Sequence, residues 1–220
     1  MIEQLNALSP EDLSVVKTHA EQENYRAIPD NELSFMYGDY ERIFRSEKQF
    51  HNKFIEYQWN EEDWYDGEAP TEVQTIIRNL QKAMLYALQE PAAYVISEFF
   101  DYPKGAGILP HDDAMCGGAG PMQKYGAAFY LCDFNAGGEV TGIMNGGEIS
   151  QFPVENAYRI FEPGEVHEVR PTQDKGRKTI QTFIAPMQDD GTLHTHWTNQ
   201  YGTFELAAQK CSYEIPEKNI

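Results

Sequence analysis

The sequence is short of positive charge. Its 220 residues hold 17 lysines and arginines against 35 aspartates and glutamates, a formal net charge of -18. The densest basic cluster is Lys175, Arg177 and Lys178. Three cations are too few to neutralise a run of phosphates, which argues against a nucleic-acid partner. Cysteine is scarce as well. Cys116, Cys132 and Cys211 are odd in number and show no C-x-x-C spacing, so no disulfide framework is expected and a reducing, cytoplasmic setting is. No apolar run reaches the length of a membrane span, so no membrane partner is expected. The first residues, Met1 to Asn6, carry no basic region ahead of an apolar stretch, so no secretory signal is expected there.

What the chain has instead is aromatic and apolar bulk. Aromatic residues make up 13%, and a chain of this length can fold as one domain around a sizeable core. No repeat, low-complexity segment or linker divides residues 1–220. Ser9-Pro10-Glu11-Asp12 predicts a helix start, with a capping serine, a proline in the first turn and acids at the positive end of the dipole; the helix should run to about Asn24. Met36, Tyr40, Ile43 and Phe44 recur at helical spacing and predict a second helix over about 32–50, with Gly38 weakening it. Residues 54–59 read as a short strand. Residues 60–70 are acidic and aromatic and read as a loop, with a lid over the substrate as the alternative. Val73, Ile76, Ile77, Leu80, Met84 and Leu88 form one stripe of a helix from Thr71 to about Gln89, and such a stripe needs a sheet to bury it.

From Ala92 onward, short β-rich runs alternate with Gly and Pro. Strands are expected near 92–102, 125–133, 139–144, 148–152, 156–161, 165–170 and 178–186, which indicates a sandwich or barrel. The expected layout is helical support over 1–91, a β core over 92–187 and an irregular tail over 188–220.

Four residues within the β-rich region carry chemistry. His111 and Asp113 form an H-x-D, and Met115–Pro121 just beyond them is a glycine-rich loop. His167 lies in Glu165-Val-His-Glu-Val169, and Arg177 follows ten residues later. An isolated H-x-D is also met by ordinary loop histidines, and a lone strand histidine by backbone bonding. Together, two imidazoles and one carboxylate suit one face of an octahedral non-haem Fe(II), with three positions left for substrate and oxygen. An arginine suits an acidic co-substrate, because its planar fork holds a carboxylate by two parallel hydrogen bonds.

Residues from about Tyr94 to Ile184 resemble the catalytic core of the Fe(II)/2-oxoglutarate-dependent oxygenases, and the prolyl 4-hydroxylase-like branch in particular. The resemblance is carried by Tyr102 and Gly105 ahead of His111, by His111-x-Asp113, and by Phe129-Tyr130-Leu131 leading to Gly137-Gly138-Glu139. It continues through Phe161-Glu162-Pro163, His167-Glu168-Val169, Pro171 and Gly176-Arg177. Gly176 directly precedes the arginine, where the branch often has one residue between. The N-terminal helices match only in general position and the tail not at all.

Such a resemblance implies an α+β fold with a mainly β core, a double-stranded β-helix of the jelly-roll or cupin-like kind, with N-terminal helices packed on one sheet. It implies that His111, Asp113 and His167 bind Fe(II), that Arg177 holds the distal carboxylate of 2-oxoglutarate with help from Tyr130 and Thr179, and that Tyr102 lines the pocket near the substrate. O2 would be the second co-substrate and ascorbate an auxiliary reductant. The implied activity is hydroxylation of an aliphatic C–H bond, with succinate and CO2 as co-products. With no peptide-recruiting domain in evidence, the substrate expected is a small amino-acid-like metabolite; a protein or peptide side chain is the alternative. A non-catalytic, metal-binding cupin-like protein is a further alternative, against which Arg177 speaks. His194-x-His196 reads as tail surface. Strand alternation puts 177, 179 and 181 on one face and 178, 180 and 182 on the other; Ile180 fits the intersheet or the helix-facing core, and Lys178 an outer face reaching solvent.

Overall fold

The computed structural model describes residues 2–28, 39–59, 71–111, 125–132, 138–144, 147–162, 165–173 and 176–186. In chain order the elements are β1 (Ile2–Gln4), α1 (Pro10–Gln22), β2 (Tyr25–Ala27), β3 (Phe44–Ile55), β4 (Gln58–Trp59), α2 (Thr71–Leu88), β5 (Ala93–Tyr102), β6 (Ile108–His111), β7 (Tyr125–Tyr130), β8 (Val140–Met144), β9 (Gly147–Gln151), β10 (Tyr158–Phe161), β11 (Val166–Val169) and β12 (Arg177–Pro186).

The strands form two antiparallel sheets. The larger runs β1-β10-β7-β12-β5-β3-β2, with β4 hairpinned onto β3, and the smaller runs β6-β11-β8-β9. Chain neighbours such as β5 and β6, or β10 and β11, lie in opposite sheets. That winding is a jelly roll, and it agrees with the expected double-stranded β-helix.

Alternation along the strands gives the larger sheet two different faces. One is covered by the helices. Phe50 and Phe54 of β3, Val95 and Phe99 of β5, Phe129 of β7 and Ile180 and Ile184 of β12 pack there against Val16 and Ala20 of α1 and the α2 stripe. Val73, Ile76, Ile77, Leu80, Met84 and Leu85 are all buried. Each contributes about 1.5–3 kcal/mol relative to exposure. Ser9 caps α1, accepting from the Asp12 amide at 3.1 Å, with Pro10 in the first turn. The other face meets the smaller sheet through Phe100, Tyr102 and Phe161, opposite Ile108, Val140 and Val169. Among the described residues, no helix is long and apolar enough to cross a membrane.

Two expectations need correction. Phe44 to Phe50 are not helical; they open the 12-residue strand β3, which pairs with β5 from Phe44↔Asp101 to Phe54↔Ala93. Met36, which suggested the helix, lies outside the described residues. The local apolar spacing was helical, but from Phe50 onward Phe50, Asn52 and Phe54 alternate with period two, and an available sheet edge overrides a short local preference. Among the described residues, the stretch up to 91 therefore supplies four strands as well as helices. Residues 54–59 are not one strand but the two arms of a hairpin turning at Glu56 and Tyr57, both at positive φ, the backbone of a two-residue hairpin turn.

One polar chain crosses the helix-facing core. Asn52 Nδ2 donates to Gln81 Oε1 at 2.7 Å, Gln81 Nε2 donates to Ser97 Oγ at 2.9 Å, and Ser97 Oγ meets Thr182 Oγ1 at 2.8 Å. Gln81 thus ties α2 to three neighbouring strands. Gln81→Leu should keep the packing volume but strand the amide of Asn52, for a loss of about 1–3 kcal/mol. The urea midpoint should fall without a change in slope; an unchanged midpoint would mean that the chain contributes nothing net.

Candidate active site

The site grows from register. On the face turned toward the smaller sheet, Arg177 lies opposite Tyr102, Thr179 sits between Phe100 and Tyr130, and Gln181 sits between Glu98 and Ala128. The central strand β12 therefore gathers residues from β5 and β7 that are remote in sequence. Arg177, Thr179, Tyr102 and Tyr130 are all buried.

Arg177 is 5% exposed. Its Nη1 donates to the Gly138 carbonyl at 2.5 Å, and its guanidinium lies 4.3 Å from the Tyr102 ring centroid and 5.8 Å from that of Tyr130. These contacts offset part of the cost of removing a cation from water. Among the described residues no carboxylate pairs with it, and both its Nε and the Tyr130 hydroxyl are buried without a hydrogen-bond partner. Burial pushes the Tyr102 phenol up from its ordinary value, against the opposing pull of Arg177, so Tyr102 stays a neutral donor. Gln181 Nε2 reaches both Tyr102 Oη, at 3.5 Å, and Thr179 Oγ1, at 3.4 Å.

Gly138 lies at φ +69°, and a Cβ there would sit 3.3 Å from Thr172 Cγ2 and 3.5 Å from Arg177 Nη1. Only glycine takes that conformation without strain. The Gly138 amide donates to Pro171 O at 3.1 Å and the Gly105 amide to Thr172 O at 2.7 Å. Three separated motif fragments thus close over the arginine.

The two histidines meet in the smaller sheet. His111 ends β6 and His167 lies directly opposite on β11, with ring centroids 4.4 Å apart. His111 Nδ1 lies 2.8 Å from Leu109 O and His167 Nδ1 lies 2.9 Å from Glu165 O. A carbonyl only accepts, so Nδ1 carries the proton and the lone pair falls on Nε2; this is how a second layer of bonds orients imidazoles for a cation. His167 stacks on Phe161 at 4.3 Å and 7°, which holds its ring plane. On the far side a Cβ at Gly142 would collide with the Val166 carbonyl oxygen and lie 3.0 Å from His167 Cα, so glycine is what lets β8 pair this closely with β11.

Of the expected site residues, His111 and His167 form one cluster, and Arg177, Tyr130, Thr179 and Tyr102 the other. Asp113, the Met115–Pro121 loop, residues 60–70, His194 and His196 lie outside the described residues. Among the described residues no group of three metal-capable side chains gathers. Lys178 corrects an expectation. It lies on the helix side, with Nζ 2.7 Å from Glu21 Oε2 and 5.4 Å from the Tyr25 ring centroid, because α1 covers the face taken to be open. Sequence reasoning placed residue 181 on the face of Arg177 without giving it a role, and it did not single out Glu98 or Arg159. Arg159 is 4% exposed, donates to Glu3 and to Phe152 O, and lies 5.4 Å from the Tyr130 ring centroid. Alternation along β5 from Tyr102 could have revealed Glu98.

No protein-family model matches the sequence, and no curated protein does. Solved structures do resemble the fold. A prolyl-4-hydroxylase from Pseudomonas putida aligns over 83% of this chain and 90% of its own, with a TM-score of 0.59 at 17% identity. HygX from Streptomyces hygroscopicus, solved with nickel, 2-oxoglutarate and hygromycin B, aligns over 84% and 82%, with a TM-score of 0.55 at 8% identity. A prolyl hydroxylase from Trichoplax adhaerens, in complex with a hypoxia-inducible-factor peptide fragment, aligns over 83% and 82%, with a TM-score of 0.54 at 14% identity. The chain has the double-stranded β-helix fold of these oxygenases.

Proposed function

We propose that the protein is an Fe(II)- and 2-oxoglutarate-dependent oxygenase that hydroxylates an aliphatic C–H bond of a small amino-acid-like molecule, releasing succinate and CO2. The observation that carries this reading is the buried Arg177, which has no carboxylate partner among the described residues while the Tyr130 hydroxyl beside it is unpartnered too. A guanidinium and a phenol buried in this way fit the free carboxylate of an acidic co-substrate. A non-catalytic cupin-like protein has no use for them.

The donor set also fits the metal. His111 and His167 would give Nε2 lone pairs, and Asp113 would supply the third donor and the one negative charge. Iron would supply the activation of O2 when bound. Arg177 would orient 2-oxoglutarate along β12 by its distal end, Tyr130 and Thr179 would supply hydroxyls to the same carboxylate, and Tyr102 would close the pocket's end. Phe161 stacks on the His167 ring and would hold its plane, and the buried apolar cluster of Phe100, Ile108 and Val140 would help to keep water from one side. Hydroxylation of a peptide side chain is the second reading, favoured by the likeness to a hydroxylase that takes a peptide.

The test is succinate formation by purified protein given Fe(II), 2-oxoglutarate and air. Slow conversion without a primary substrate is expected, and a chelator should stop it. No succinate under any of these conditions would overturn the class. Halogenating members of this superfamily replace the metal carboxylate with a small residue. Asp113 keeps that carboxylate here, so in chloride buffer the product should carry one added oxygen and no chlorine by mass spectrometry.

A further inference from the structure

A second buried arginine reaches the same tyrosine as Arg177. Arg159 lies on β10, directly opposite Glu3 of β1 and Ala128 of β7, and Ala128 lies opposite Gln181 of β12. Arg159 therefore stands on the face of the larger sheet that carries Arg177. Its Nε donates to Glu3 Oε1 at 2.8 Å and its Nη2 to the Phe152 carbonyl at 2.7 Å. Two fixed corners of a planar fork leave the guanidinium little freedom, and its central carbon is 5.4 Å from the Tyr130 ring centroid. Arg177 approaches the same ring at 5.8 Å. Strand β7 runs between β10 and β12, so the two cations come from strands on either side of the tyrosine. Each is attracted to the electron-rich ring. Among the described residues the Tyr130 hydroxyl has no hydrogen-bond partner, so its direction is left to contacts along the ring.

We propose that Arg159 is a positioning residue for the co-substrate. Anchored by Glu3 and the Phe152 carbonyl, it holds the Tyr130 ring from the β10 side, so that the hydroxyl stays aimed at the carboxylate bound by Arg177. This rests on the oxygenase reading and extends its site to the edge strand β1, which enters through Glu3. The tyrosine adds a hydrogen bond to the carboxylate only while its ring is held, and Arg159 spares the bound ligand the cost of ordering it.

The experiment is a double-mutant cycle between Arg159→Met and Tyr130→Phe in the full chain. It reads the dissociation constant of 2-oxoglutarate by anaerobic calorimetric titration with Fe(II) present, beside succinate formation in air. Tyr130→Phe alone should raise that constant about 10-fold or more, the worth of one hydrogen bond to a charged group. Arg159→Met alone should raise it about 3- to 10-fold, with turnover at saturating 2-oxoglutarate within about twofold of the unsubstituted protein. The double variant should bind within about twofold of Tyr130→Phe alone, because Arg159 has nothing left to aim. Glu3→Gln, which loosens the anchor and leaves the arginine in place, should give a smaller rise that likewise vanishes beside Tyr130→Phe; it carries the test if Arg159→Met does not fold. A rise that persists in full in the Tyr130→Phe background overturns the proposal, since Arg159 would then act by its charge alone. Unchanged binding in Arg159→Met overturns it too and leaves the arginine as a tie to β1. If the unsubstituted protein forms no succinate, the oxygenase reading is what has failed, and this role for Arg159 falls with it.

Discussion

Asp113→Ala should lose its iron and its turnover together, whereas Asp112→Ala should keep both. The two aspartates are adjacent, so charge and general position cannot separate them. The H-x-D spacing assigns the proposed ligand role to Asp113, the second residue after His111. Partners one layer out from a metal typically contribute about 10- to 100-fold in affinity. Removing the proposed direct donor, which would bring the negative charge to the site, should cost at least about 100-fold. Asp112→Ala should stay within about threefold. The measurement is anaerobic Fe(II) titration of both variants beside succinate formation. Equal loss of iron in both would defeat the assignment and would leave His111 and His167 in need of another third donor.

Arg177→Ala should raise the apparent Michaelis constant for 2-oxoglutarate by roughly two orders of magnitude or more. Each hydrogen bond to a charged group contributes about 1.5–3 kcal/mol, and a bidentate contact has two. Lys178→Ala should change that constant by less than about threefold, although the two cations are sequence neighbours. Arg177 is buried against Tyr102 and Tyr130, while Lys178 points through the other face of β12 to Glu21 on α1. Succinate formation against 2-oxoglutarate concentration decides the matter. A larger defect in Lys178→Ala would mean that the co-substrate lies on the helix side of the sheet, which the register of β12 with β5 and β7 contradicts.

Much of this site was legible in the chain because its chemistry is local to short segments. The H-x-D, the histidine followed by Glu-Val and the arginine ten residues on each name a donor type. Alternation along the strand that carries Arg177 separates Arg177 and Thr179 from Ile180 without saying which face meets the helices, and the structure puts Ile180 in the helix-facing core. The α2 stripe was legible for the same reason: its period of 3.6 states both the helix and the need for a sheet beneath it. Strand β3 was not legible. Its first residues carry a helix-like spacing, and only pairing with β5 makes them extended. Lys178 was assigned to the correct side of β12 but to solvent, because nothing in a strand's own sequence says that a helix will cover it.

What the sequence by itself supplies is a set of candidate donors, their order and the alternation that sorts strand residues between faces, because these follow from residue chemistry and from bond geometry within a strand. What only the tertiary structure decided is which of them share a place. His111 lies opposite His167 across 56 residues of chain because β6 and β11 pair antiparallel. Tyr102 and Tyr130 flank Arg177 because β5 and β7 lie on either side of β12. Such neighbourhoods depend on register between distant strands. That register is settled by burial and hydrogen bonding of the whole sheet together, and no single strand contains that information.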